Sequence, residues 1–285
     1  MKKCVIITNY DKDENLSVTK RIQKYLIQHG CECVIPEKSF DKADSRNYDL
    51  ENVLEGVEAI IVIGGDGTLI QAAHDTVKYN LPLLGINLGT LGYLTEIGKD
   101  NINSAMDALI ADNYEIEERM MLEGKLVESS LEDSEVHLAL NDIVISRVGG
   151  LRVVNYDIYV NDKFLATYEA DGIIISTPTG STGYSMSAGG PIVSPCARMS
   201  VVTPICSHTL NNRSIVLDAE DKICIYTESR HCVNSPEAMV SFDASRALNI
   251  EGGDCIEIKK SQLVTKIIKI NKDSFLQNLS KKMGI

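Results

Sequence analysis

Apolar residues cluster in two ways along the first hundred or so positions of the chain. Short runs rich in apolar residues, "CVIIT", "CECVI", "AIIVI" and "PLLGIN", have the length and density of strands. Between them, "NLSVTKRIQKYLIQHG" carries Leu16, Ile22, Tyr25, Leu26 and Ile27 at helical spacing, and Gly30 supplies the stop. A second helix is expected over 68–80 and a third at "INSAMDALIADN". Strand, helix, strand in that order predicts an α/β domain: a parallel, Rossmann-like sheet joined by right-handed crossovers and covered by helices. The polar stretch 36–52 reads as a loop.

The texture changes near residue 114. Short alternating or apolar runs follow, among them "LALNDIVISRV", "LRVVNYDIYVN", "GIIIST", "SIVL" and "KICIY", with Gly, Asn, Asp and Pro between them. That spacing predicts an all-β domain, a β-sandwich. The tail "VTKIIKINKDSFLQNLSKKM" gives one strand and one helix and suits the first domain better. The expected boundaries are therefore 1–113, 114–258 and 259–285, with the C-terminal tail returning to the first domain.

Composition narrows the partners. The 285 residues carry a formal net charge of -12, which disfavours nucleic acid and anionic membrane, since both need a basic surface. No apolar run reaches membrane-spanning length, and the start lacks a signal-peptide pattern, so a cytoplasmic location is expected. Eight scattered cysteines show no CxxC pair and no zinc spacing, which fits reduced thiols. Any phosphate ligand must then be held locally, by backbone amides or a metal.

Such a place is "AIIVIGGDGTLIQAAHD". Gly64, Gly65 and Gly67 let amides approach an anion, and the helix expected from Thr68 points its positive end at the same spot. Asp66 repels a phosphate unless it takes a proton from an attacking hydroxyl or helps hold a magnesium ion. Phosphoryl transfer is one reading, and a tight turn with Asp66 bonded to its own backbone is the other. Segment 168–195 places Thr177, Thr179, Ser181, Thr182, Tyr184, Ser185 and Ser187 after an apolar strand, a density of hydroxyls suited to a polar, phosphorylated ligand. Asn141 and Asp142 interrupt an apolar strand; an amide beside a carboxylate matches the cis-diol of a ribose.

With "GGDGT", "NLGTLGYLTE", the Asn141–Asp142 pair and "DGIIISTPTGSTGYS" in this order and spacing, continued by "GGPIVSP" and "ICSHTLNNRSIVL", the chain resembles bacterial NAD kinases over most of its length. The glycine turn alone is shared with diacylglycerol and sphingosine kinases; the hydroxyl-rich segment is what makes the resemblance specific. It implies transfer of the ATP γ-phosphate to the 2′-hydroxyl of the adenosine ribose of NAD, giving NADP, with a divalent metal such as Mg²⁺. By similarity, Asp66 is the base, and Gly64, Gly65, Gly67 and Thr68 lie at the phosphates. Asn141 and Asp142 hold ribose hydroxyls, Asp171 meets the dinucleotide's polar ends, and Tyr93 stacks on a base. Thr179, Thr182, Gly183, Tyr184, Ser185, Met186 and Ser187 wrap the nucleotide.

The NAD-binding set extends to Arg152, Glu169, Cys206 and Ser245. The chain departs from the family pattern at Asp142, where Glu is usual, at Gly183 in place of a common alanine, and at Glu169, where many members carry a basic residue or glycine. The resemblance also implies a homo-oligomer, a dimer or tetramer in which a neighbouring subunit completes the site. Two other functions stay open: a lipid or sphingoid kinase sharing only the glycine turn, against which the polar 177–187 stretch speaks, and a non-catalytic NADP-binding sensor, against which Asp66 weighs.

Overall fold

A computed structural model describes residues 1–36, 53–89, 92–127, 135–149, 153–209, 212–228, 238–251, 253–270 and 275–284. The loop expected over 36–52 falls outside it after residue 36, as does Arg152. In chain order the first elements are β1 (Lys3–Thr8), α1 (Ser17–Gln28), β2 (Glu32–Val34), β3 (Ala59–Gly64), α2 (Asp66–Thr76), β4 (Leu83–Asn87) and α3 (Ile102–Ile110). Then come β5 (Glu115–Val127), β6 (His137–Ala139), β7 (Asp142–Arg147), β8 (Val154–Val160), β9 (Lys163–Ala170), β10 (Gly172–Ser176), the single turn α4 (Tyr184–Ser187) and β11 (Met199–Ile205). The chain ends with β12 (Ile215–Asp218), β13 (Ile223–Glu228), β14 (Ala238–Phe242), β15 (Arg246–Ile250), β16 (Cys255–Lys269) and α5 (Phe275–Met283).

The chain divides into two compact units, Met1–Arg119 with Val264–Ile285, and Met120–Leu263. In the first, the order β2-β1-β3-β4 is parallel throughout and the end of β16 adds to β4 in parallel, Ile267 opposite Leu83. β3 and β4 are buried at every position, which is what a parallel sheet covered by helices on both faces requires. α1 turns Ile22 and Leu26 inward, and α3 turns Ile102, Ala105, Met106 and Leu109 into the same core, where Ile6, Ile61, Ile63 and Ile86 meet them. The α1 start is capped from outside by Asp13, whose carboxylate accepts Val18 N–H at 3.2 Å and Thr19 N–H at 2.9 Å.

The second unit is antiparallel. One sheet runs β12-β11-β10-β7-β14-β15, and β16-β13-β8-β9 forms the other layer. Ile143, Ile145, Ile173, Ile175 and Val240 from the first pack against Tyr156, Ile158, Ile223, Ile225 and Ile258 from the second. The result is the expected sandwich with alternate residues facing the core. β16 is one uninterrupted strand where the sequence suggested an end at 258 and a separate tail strand. The strand runs on through the change of unit with no Gly or Pro to mark it, although its in-and-out pattern is irregular there, with Gln262 and Leu263 both exposed.

Candidate active site

The helix expected from Thr68 begins two residues earlier. Gly65, extended at φ -123°, is the N-cap of α2, and Asp66 is its first residue. A carboxylate there faces the positive end of the helix, so the turn chemistry and the helix favour the same charge. Asp66 does not bond to its own backbone. Its Oδ2 accepts Tyr93 N–H at 2.7 Å, while Oδ1 accepts Leu94 N–H at 3.2 Å, Thr95 N–H at 3.0 Å and the Thr95 hydroxyl at 2.8 Å. The tight-turn alternative is therefore set aside: the carboxylate is fixed by a second loop.

That loop follows β4 and contains the "NLGTLGYLTE" motif. Asn87 Nδ2 donates to Thr95 Oγ1 at 2.7 Å, and Asn87 N–H bonds Ile97 O at 2.8 Å, so the amides of 93–95 are held in place from behind. A β-carbon on Gly92 would collide with the Asp66 carboxylate, and one on Gly64 would collide with the Thr68 side chain. Gly67 is exposed with open space around it, and Thr68 Oγ1 accepts Asn9 Nδ2 at 3.1 Å. Oδ1 of Asp66 is crowded with donors, whereas Oδ2 carries a single bond among the described residues, leaving it the capacity to accept a further proton. Gly64, Gly65, Asp66, Gly67, Thr68 and Tyr93 thus form one constellation within the first unit. Tyr93 contributes its amide as well as its ring, and Lys282 lies 3.6 Å from the ring centroid.

In the second unit, Asn141 lies in the break between β6 and β7, and Asp142 is the first residue of β7. The backbone breaks between β6 and β7 because the carboxylate of Asp243 takes over its donors: Leu140 N–H at 2.6 Å, Asn141 N–H at 2.8 Å and Asp142 N–H at 2.9 Å. Asn141 therefore stands outside the ladder, whereas Asp142 pairs with Ser176 of β10. Asp142 is buried, and burial, followed by the nearby Asp243 charge, pushes its carboxyl up to about 7. Asn141, Asp142, Tyr184, Ser241 and Asp243 line a cavity of about 370 Å³. Asn141 Oδ1 is buried without a hydrogen-bond partner among the described residues. Such an orphaned acceptor suits a ligand hydroxyl.

The hydroxyl-rich segment packs on the same backbone. Thr177 N–H bonds Asn141 O at 2.8 Å, Thr177 Oγ1 bonds Leu140 O at 2.6 Å, and a β-carbon on Gly180 would strike Asn141 O. Several hydroxyls are used internally: Ser181 Oγ bonds Pro178 O at 2.7 Å, Thr182 Oγ1 bonds Thr179 O at 3.3 Å, and the buried Ser185 Oγ pairs with Thr203 at 3.1 Å. Tyr184 and Met186 are exposed, and Gly183 packs beside Asn141 and Asp142. Thr179 is buried and Ser187 exposed. Ser245 turns its hydroxyl onto Phe242 O at 2.9 Å.

Asp171 lies elsewhere in this unit. It forms a 2.8 Å ion pair with Arg147, close to exposed Glu169 and Cys206, at the start of β10. Asp142 is opposite Ser176 at the other end of that strand, so five residues at about 3.3 Å each put Asp171 roughly 16 Å along the sheet from Asp142. Sequence reasoning missed Asp243, Thr95, Asn87, Gly92 and Lys282. Gly92 and Thr95 lay inside a quoted motif, but nothing in the sequence ties Asp243 to a strand break a hundred residues away.

Family models for the ATP-NAD kinase N-terminal domain and the ATP-NAD kinase C-terminal domain match residues 4–114 and 140–270. The chain is 44% identical over 284 residues to the NAD kinase of Agathobacter rectalis, covering 100% of this chain and 99% of the relative. It is 41% identical over 295 residues to the NAD kinase of Lachnospira eligens, covering 99% and 100%. Among solved structures, yeast NADH kinase complexed with NADH aligns at TM-score 0.86 and 22% identity, covering 100% of this chain and 88% of that one. An NAD kinase from Archaeoglobus fulgidus in complex with ATP aligns at 0.76 and 24%, covering 99% and 98%. At those identities the two structures speak to the fold.

Proposed function

We propose that this chain, which belongs to the NAD kinase family, makes NADP by in-line transfer of the ATP γ-phosphoryl group to the adenosine 2′-hydroxyl of NAD, with Asp66 as the base. The observation that carries the assignment of Asp66 is its carboxylate geometry. Four donors fix the group at the start of α2, three of them on Oδ1, and Oδ2 keeps room for the hydroxyl proton. Gly64, Gly65, Gly67 and Thr68 place amides and a hydroxyl beside the phosphates.

Asn141 and Asp142 hold ribose hydroxyls, with Asn141 Oδ1 as the acceptor awaiting a donor. Thr179 and the 182–187 segment close around the nucleotide, and Asp243 acts as a positioning residue for the Asn141–Asp142 backbone. Membership of the family supports a homo-oligomer, in which Asp171, with Glu169 and Cys206, serves the dinucleotide bound by a neighbouring subunit. Among the described residues no three His, Cys, Asp or Glu side chains gather as a metal site; a magnesium ion carried on the phosphates of ATP would serve the reaction. Such an ion would neutralise charge on the transferred group. No helix among the described residues is long and apolar enough to cross a membrane.

Purified protein given NAD, ATP and Mg²⁺ should form NADP, detected with an NADP-specific dehydrogenase, and excess EDTA should stop it. Phosphorylation of sphingosine or diacylglycerol with no NADP formed would contradict the proposal.

A further inference from the structure

The formal net charge is -12, yet two lysines from opposite ends of the sequence converge on the Asp66 turn. Lys12 sits on the loop between β1 and α1. That loop is fastened to the turn: Asn9 N–H bonds Ile63 O at 2.8 Å, Asn9 Nδ2 bonds Thr68 Oγ1 at 3.1 Å, and Lys12 N–H bonds Asn9 O at 3.1 Å. A β-carbon on Gly65 would lie 2.8 Å from Lys12 Nζ.

Lys282 comes from the last turn of α5. Its Nζ stands 3.6 Å from the Tyr93 ring centroid, and the amide of Tyr93 is the 2.7 Å donor to Asp66 Oδ2. α5 is anchored near the same loop, since Asn278 Nδ2 approaches Glu96 Oε1 at 3.4 Å and Lys269 pairs with that carboxylate. Burial lowers the Lys282 ammonium from its usual range, and the Asp66 charge opposes the lowering, so the two groups sense each other.

Neither lysine is ion-paired with a carboxylate among the described residues, whereas Lys3, Lys222, Lys259, Lys260 and Lys269 all are. A polyphosphate entering the glycine turn brings several negative charges beside Asp66. The amides at the helix start offset only part of that charge. We propose that Lys12 and Lys282 bind the donor's polyphosphate from two sides of the turn, Lys12 across Gly65 and Lys282 across Tyr93. Tyr93 then serves as the platform that holds the Lys282 ammonium, with one ring face engaged by the cation. The inference rests on the assignment of the Asp66 turn as the phosphoryl-transfer site.

The test uses the full-length protein and the Lys12→Met, Lys282→Met and doubly substituted variants, with Lys12→Arg and Lys282→Arg for charge rescue and Lys24→Met as a surface control. Calorimetry with inorganic tripolyphosphate reads binding without turnover, and steady-state kinetics separates KM for ATP from KM for NAD. Each methionine variant should weaken tripolyphosphate binding and raise KM for ATP by about tenfold, the double variant by more, with KM for NAD changed less than about twofold. The arginine variants should recover most of the loss. Wild-type tripolyphosphate affinity and ATP KM in both methionine variants, with unchanged thermal unfolding, would overturn the proposal; an effect at one lysine alone would overturn the two-sided arrangement. Because tripolyphosphate needs no base, an Asp66→Asn variant that still turned over would sink the base assignment and leave this result to be judged separately.

Discussion

Asp66 and Asp142 are both aspartates, and their surroundings assign them different work. Asp66 meets backbone amides and a helix start, which hold it as an acceptor. Asp142 meets burial and a second carboxylate, and is raised to about 7. In the unliganded protein the folded form of Asp142 therefore binds its proton more tightly than the unfolded chain does, so its contribution to stability falls as pH rises from the ordinary carboxylate range towards 7. If Asp142 holds the ribose as proposed, the diol donates hydrogen bonds to its ionised carboxylate, and binding acts in the opposite direction. NAD affinity measured at pH 6 and pH 8 should tighten by up to about tenfold, and Asp142→Asn should flatten the profile. Gly92 allows a further check. A methyl group there displaces the Asp66 carboxylate, so Gly92→Ala should cut kcat by about 100-fold in an NADP-formation assay while NAD binding by the second unit persists. Asp66 was legible from the sequence because a charge among glycines is conspicuous. Gly92 was legible only as part of a motif, since its reason is a three-dimensional approach.

At the level of elements, the hydrophobic pattern located strands and helices well and their ends less well. The α2 start was placed at Thr68 because apolar periodicity begins there; the helix starts at Asp66 because its N-cap is a glycine, which carries no side-chain signal. The "LALNDIVISRV" run read as one strand, and it is two, because the Asp243 carboxylate outcompetes the ladder for three consecutive amides. Asp243 lies at φ 48°, a left-handed position that Asn tolerates, so Asp243→Asn tests the contact without adding backbone strain. The substituted amide would turn its NH₂ towards Leu140 N–H. We expect a loss of about 1–3 kcal/mol in urea unfolding. Removing the Asp243 charge should also shift the pH dependence of NAD binding to lower pH, because that charge is part of what raises Asp142. The 177–187 hydroxyls were all legible as a polar cluster, but their division of labour was not. Ser181 bonds within the loop, whereas Thr177 and Ser185 tie it to Leu140 and to Thr203 of β11.

For the whole chain, the change from mixed α/β texture to dense short strands revealed an α/β unit followed by an antiparallel one. The points of change, 119/120 and 263/264, lie inside β5 and β16, where an uninterrupted strand with no turn residue conceals them. The C-terminal strand and helix were recognisable as α/β in character, and the parallel pairing of Ile267 with Leu83 realises that return. The homo-oligomer proposed from the family carries a prediction at this scale. Sedimentation should show a dimer or tetramer, and mixing inactive Asp66→Asn subunits with inactive Asp171→Ala subunits should restore part of the activity if sites are completed between copies. The central claim concerns Asp66 and has a direct measurement: NADP formed per second from NAD, ATP and Mg²⁺ by wild type and by Asp66→Asn, at NAD concentrations saturating for both. A fall in kcat of about 10²- to 10⁴-fold with NAD affinity largely retained is the predicted result. Turnover within a few-fold of wild type would contradict the assignment of Asp66 as the base.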